Sequence, residues 1–313
     1  MLKNKKLLGN GLLLLTAIIW GTAFVFQRVG MDSISPITFN AARMAVSAVL
    51  LAPVALIIHR QDKASAKRAP EERKRRDANT LAGGLLCGCF MSVASIFQQI
   101  GIVYTPAGKA GFITAMYILL VPIIGFIFFK KKNTWLVWAA VLLGVAGMYL
   151  LCVTEGFGLT LGDSFVLLCA FFYSFHILCC DHFVNYADPI GISAIQFAVA
   201  TVVSSVIAFI AEEPSVSQIA AAWVPIVYCG LVSGCIGYTL QIVGQKFTDP
   251  TSASLLMSLE SVFAVLTGAL FIGERMTPRE IAGCVIMFAA VILVQIPLPK
   301  RAKRREDSGG PDS

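Results

Sequence analysis

Charge is scarce in this chain. Only 14% of its 313 residues are charged, 57% are hydrophobic, and the mean hydropathy is +0.77. Those values exclude a water-soluble fold. A long polar stretch is also missing, so an ectodomain on a single anchor helix is excluded too. The nine cysteines form no paired extracellular framework. Cys87, Cys89, Cys169, Cys179, Cys180 and Cys284 lie inside apolar blocks and read as reduced, small packing residues. Histidine is limited to His59, His176 and His182, which offer no convincing nucleophile and base pair for an intramembrane enzyme. There is no Walker A motif, so direct ATP hydrolysis is not expected. The net charge of +7 comes from short basic runs between apolar blocks. Such runs are topology signals, and nucleic acid is not an expected partner.

What the chain has in quantity is apolar sequence of bilayer-spanning length, about 20 residues for a core of roughly 30 Å. Ten such blocks, helices 1 to 10, fall at 7–28, 36–58, 80–103, 107–129, 134–152, 161–185, 189–210, 223–246, 251–272 and 278–297. The expected fold class is an all-α polytopic membrane protein. Helix starts carry a capping residue followed by proline at Ser35-Pro36, Thr105-Pro106, Asp188-Pro189, Asp249-Pro250 and Thr277-Pro278. Thr277 and Glu280 also have capping-box spacing. The first block follows Lys3, Lys5 and Lys6 but lacks a small-x-small cleavage site, so it is kept as helix 1 rather than a signal peptide.

An N-terminus in the cytoplasm places the most basic segments on that side: Arg60 to Arg76 with eight Lys or Arg, Lys130-Lys131-Lys132, and Lys300 to Arg305 with five. The opposite face receives Arg28, Arg275 and Arg279 among the acids Asp32, Glu155, Asp163, Glu212, Glu213, Glu274 and Glu280. The positive-inside rule then puts both termini in the cytoplasm of a multi-pass cell-membrane protein. Ala64 to Asp77 reads as a solvated topogenic loop, with anionic-lipid binding as the alternative.

The chain also repeats itself. An offset of 153 pairs Trp20 with Tyr173 and Pro36 with Pro189. An offset of 143 pairs Gln98 with Gln241, Thr105 with Thr248, Ala110 with Ala253, Tyr117 with Glu260, Gly125 with Gly268 and Ala139 with Ala282. The longer basic loop after helix 2 accounts for most of the difference. The halves are therefore 7–152 and 161–297, followed by a basic, then disordered cytoplasmic tail at 298–313. Five helices is an odd number, so the second half enters the membrane from the other side. Inverted repeats rocking around one midplane site are a recurrent plan of secondary transporters.

Specific motifs extend the reading. They are Trp20-Gly21-Thr22, Ser35-Pro36 with Arg43, Tyr104-Thr105-Pro106-Ala107-Gly108, Leu259-Glu260-Ser261-Val262-Phe263, Gly273-Glu274-Arg275-Met276-Thr277 and Ile281-Ala282-Gly283. Their order from about Leu12 to Leu293 resembles the drug/metabolite transporter superfamily, in its bacterial EamA-like branch. The resemblance implies ten helices in two inverted halves, a central cavity, and export or exchange of small metabolites. Ser261 departs from the proline often found after the glutamate in that family, so a kink in helix 9 is not assumed.

Polar residues inside spans are expensive and mark candidate sites. Glu260 lies mid-helix; a carboxyl there can load and release a proton, meet a substrate amine, or hold helix 9 in a permanent pair. Arg43 suits a substrate carboxylate or phosphate, or else ties helix 2 to a carbonyl or snorkels outward. Lys109 either snorkels at the outer end of helix 4 or points inward as a gate. Gln98 and Gln241 either line two half-channels or form interhelical hydrogen bonds. Trp20, Phe24, Tyr117, Tyr173 and Tyr238 are candidate cavity aromatics, with packing as the alternative. Gly84/Gly88 and Gly230/Gly234 permit close packing of helices 3 and 8. His176, Cys179 and Cys180 share a helical face, but His182 turns away and no second cluster is recognised that completes a site, so neither metal nor cofactor is expected. The function read here is secondary transport of a small metabolite such as an amino acid, with protons as possible coupling ion. An intramembrane enzyme or a receptor or scaffold is the alternative.

Overall fold

The computed structural model describes residues 2–61, 69–105, 107–131, 133–152, 160–272 and 277–295. The tail at 298–313, Glu155, Lys132 and the Gly273 to Met276 motif lie outside them, as does the Glu280 side chain. Among the described residues every regular element is helical. Eight helices are long and apolar enough to cross a membrane, and two shorter apolar ones, Trp135–Leu150 and Ile281–Leu293, complete the ten. Large apolar side chains face outward, as at Phe209 (75% exposed) and Leu270 (79%), while Asn40, Arg43, Gln98, Gln241 and Glu260 are buried. That inversion of the soluble pattern is what a lipid environment selects.

Helices 1 (Leu2–Gly30), 2 (Pro36–Gln61) and 3 (Pro70–Tyr104) run longer than their apolar blocks. Helix 3 begins with Pro70, followed by Glu71 and Glu72 in its first turn. A proline needs no N–H there, and the acids favour the positive end of the helix dipole. The basic residues Arg73 to Arg76 are therefore helical, not part of a loop.

Helices 4 and 9 depart further from expectation. Helix 4 is split into Ala107–Thr114 and Tyr117–Phe129, and helix 9 into Pro250–Met257 and Glu260–Ile272. The second halves begin at Tyr117 and Glu260, matched positions of the repeat. In helix 9 the break needs no proline: Ser254, Ser258 and Ser261 each donate to a carbonyl three residues back, a local bond that competes with the regular helix. Tight three-residue turns close both breaks, as in Ile118 N–H to Ala115 O and Ser261 N–H to Ser258 O. Helix 8 (Trp223–Gln245) is also irregular, with a π-helical centre at Tyr228–Tyr238.

Helices 5 (Trp135–Cys152), 6 (Leu161–Phe183), 7 (Pro189–Ala211) and 10 (Pro278–Gln295) complete the set. Asp188 and Asp249 cap helices 7 and 9 through Gly191 N–H and Ser252 N–H. Ser35 leaves that task to Glu212, whose carboxylate accepts from Ile37 N–H and Thr38 N–H. The Thr105 hydroxyl donates to Asp163 at 3.1 Å; Pro106, the other half of that expected helix start, lies outside the described residues.

The packing has twofold character. Helix 2 lies on helix 7 and helix 5 on helix 10, each against its own counterpart; helix 3 packs on helix 6, as helix 8 does on helix 1. Tyr117 and Glu260, equivalent positions, touch each other through a hydrogen bond of 2.9 Å. Equivalent points that meet lie on the axis relating the halves. The fold is ten helices in two inverted five-helix repeats. Glycines set the closest approaches: a Cβ on Gly88 would lie 2.7 Å from Val199 Cβ, and one on Gly230 would lie 2.8 Å from the Arg43 carbonyl oxygen.

Candidate functional site

One cavity lies where the two halves meet. Its walls include Trp20, Phe24, Arg43, Gln98 and Tyr117 from the first repeat. Tyr173, Tyr238, Gln241 and Glu260 come from the second. All nine residues singled out for substrate contact thus converge on one space. Lys109 does not join them. Its amino group sits 2.7 Å from the Asp163 carboxylate, which also accepts from Thr105 and from Thr160 N–H. Lys109 therefore ties helix 4 to the start of helix 6, where Thr160 and Asp163 form a capping box.

The two charged groups are deeply buried, Arg43 4% and Glu260 3% exposed. They form no ion pair with each other or with any other described residue. Arg43 Nε donates to Asn40 Oδ1 at 3.0 Å, and Asn40 Nδ2 donates in turn to Ser95 and Ser204 hydroxyls at 3.1 and 2.9 Å. This network fixes the guanidinium, but its Nη2 has no partner. Glu260 accepts one hydrogen bond, from the Tyr117 hydroxyl. A carboxylate has capacity for several.

Aromatic and amide groups fill the space between. The Tyr238 hydroxyl donates to the Tyr173 hydroxyl at 2.8 Å, and the Trp20 ring lies 4.7 Å from that of Tyr238. The Trp20 indole N–H donates to the Ser233 carbonyl across the repeats. Gln98 donates to Thr114, and Gln241 to Gln245; the Gln241 and Gln27 side-chain oxygens have no partner. The cavity has a volume of ≈ 30 Å³, room for about two waters. Such a chamber binds an organic solute only after its walls part.

Sequence reading missed several lining residues. Gln27 follows Trp20 and Phe24 at helical spacing, and His176 stands one turn beyond Tyr173; both were accessible from the period of 3.6. Thr114 and Ser233 carry no such signal, because their places follow from the break in helix 4 and the π-helical stretch of helix 8.

The EamA-like transporter family model matches residues 7–153 and again 160–296. An uncharacterized transporter of Archaeoglobus fulgidus is 27% identical over 297 residues, covering 93% of this chain and 87% of its own. A probable terminal-alkyne amino-acid exporter of Streptantibioticus cattleyicolor is 23% identical over 288 residues, covering 90% and 91%. A solved crystal structure superposes with a TM-score of 0.72 at 16% identity, covering 94% of this chain and 96% of that one. It shares the fold. With two matched copies spanning nearly all its helices, the chain is a multi-pass membrane protein that belongs to the EamA-like transporter family.

Proposed function

We propose that this protein is a secondary transporter, working as an exporter, of small zwitterionic metabolites such as amino acids, and that it catalyses no chemical conversion. The observation that carries the reading is the pair of buried, opposite charges on one cavity, neither neutralised by the other. The open Nη2 of Arg43 suits a substrate carboxylate, and Glu260 suits a substrate amine. Trp20, Phe24, Tyr173 and Tyr238 offer apolar faces to the side chain of the solute. The amino-acid exporter among the relatives supports the same class.

Movement follows alternating access, the two repeats rocking about the axis through Tyr117 and Glu260. Glu260 carries the coupling proton between the two sides. The basic residues of helix 3's first turns support cytoplasmic termini in the cell membrane. The assignments of 7–152 and 161–297 as the moving units are part of this proposal.

The test is flux. Purified protein in lipid vesicles loaded with a mixed amino-acid and metabolite pool is expected to release at least one compound faster than protein-free vesicles. A pH gradient should drive that release, and Glu260→Gln should abolish the drive. Release of nothing, with a silent variant, would sink the reading.

A further inference from the structure

Helix 6 presents His176, Cys179 and Cys180 on one face, and the sequence alone shows nothing that completes a site there. The fold does. Helix 3 brings Cys87 against that face, so that Cys87 Sγ stands 3.3 Å from Cys179 Sγ and 3.6 Å from Cys180 Sγ. Cys180 Sγ lies 3.6 Å from His176 Nε2. The ligand atoms of Cys87, His176 and Cys180 all lie within 4.8 Å of one another, and all three residues are buried. Helical spacing on helix 6 could not supply this third donor, because Cys87 is 89 residues from His176 in sequence and comes from the other repeat.

We infer that Cys87, His176 and Cys180 form a binding site for one thiophilic metal ion of the zinc class, bridging the two repeats. Zinc bonds of ~2.3 Å to sulfur and ~2.0 Å to nitrogen set tetrahedral ligand atoms ~3.5–3.8 Å apart, and two of the measured separations are 3.6 Å. Charge fits as well. Two thiolates and a neutral imidazole around a divalent ion make an uncharged centre, suited to the apolar shell of Val184, Ile192 and Ile242. The nearby Asp181 is engaged elsewhere, on Lys131 at 2.5 Å. Cys179 is the nearest further donor.

Loading exchanges bonds and protons in a defined way. The Cys87 and Cys180 thiols each release one proton as the metal–sulfur bonds form. His176 Nε2 gives up its 3.0 Å contact with Gln196 Oε1 and takes its proton on Nδ1, which has no partner in this structure. His176 also lines the central cavity, which gives the ion a polar route inward. The site joins helices 3 and 6, so a bound ion clamps the two repeats together.

Full-length protein, purified reduced in detergent and stripped of metal, should bind about one equivalent of Zn2+ in competition with a chromophoric chelator. Cd2+ in its place should give thiolate charge-transfer absorption. Cys87→Ser and Cys180→Ser should each weaken binding by roughly 100-fold or more, since even outer-shell changes cost up to that much; Cys89→Ser should not. X-ray absorption of the zinc-loaded wild type reads the site without any variant and should show two sulfurs and one imidazole. Absence of saturable binding, or an oxygen-only zinc shell, would overturn the inference. So would a Cys87–Cys179 disulfide that Zn2+ fails to suppress, because the thiols would then serve a redox role. The outcome is independent of whether the cavity carries amino acids.

Discussion

Burying an ionisable group without a counter-charge is costly, and Arg43 and Glu260 are each buried with no ion pair among the described residues. Tyr117→Phe removes the hydrogen bond that Glu260 accepts, and leaving a buried acceptor unmet costs about 1–3 kcal/mol. That variant should melt several degrees lower. Arg43→Lys retains the charge but loses the planar fork and the bond to Asn40; KM should rise roughly tenfold or more, beside a modest loss of melting temperature. An unchanged KM would mean that Arg43 only braces helix 2 through Asn40. Lys109→Met should do the opposite, lowering the melting temperature by stranding Asp163 while leaving KM alone. A shifted KM with an unaltered melt would restore the gating role. The cavity residues were legible because a charge, an amide or an aromatic stands out in apolar sequence, and Trp20/Tyr173, Gln98/Gln241 and Tyr117/Glu260 are also matched across the repeat. Choosing between the two readings of Lys109 was not possible there, since Asp163 approaches it from helix 6.

Among elements, helices 3 and 8 are the ones whose contacts leave least room. Gly88→Ala and Gly230→Ala each push a Cβ against the facing helix, on Val199 and on the Arg43 carbonyl. Overpacking of this kind costs about 1–3 kcal/mol. Gly11→Ala, which meets nothing within 4 Å, should be neutral by thermal melting; equal losses at all three would show that helix spacing is not set by these glycines. The spans and two of their caps, Asp188 and Asp249, could be read from hydropathy and proline placement. The breaks at 115–116 and 258–259 and the π-helical stretch could not. They change which carbonyl each N–H reaches while leaving the apolar pattern intact, and the serines of helix 9 look like ordinary small packing residues until their hydroxyls are placed. The cysteine cluster was hidden for a different reason. Its halves lie in different repeats, and only the packing of helix 3 on helix 6 joins them.

At the level of the whole molecule, the symmetric packing and the small chamber belong together. A void of ≈ 30 Å³ is too small for an amino acid, so carrying one requires a second arrangement in which the repeats have parted toward one side. Inversion makes opening toward the other side an equivalent motion. Gln98 and Gln241, matched across the halves, both stand on the cavity wall, and the proposed motion assigns them to opposite sides. The most direct test uses single cysteines at Gln98 or Gln241, on a background in which the other cysteines tolerate replacement, labelled by a membrane-impermeant maleimide from each face of sealed vesicles. The account predicts labelling from opposite faces, with added substrate raising one rate and lowering the other. Labelling of both positions from the same face, or rates that rise and fall together, would contradict it.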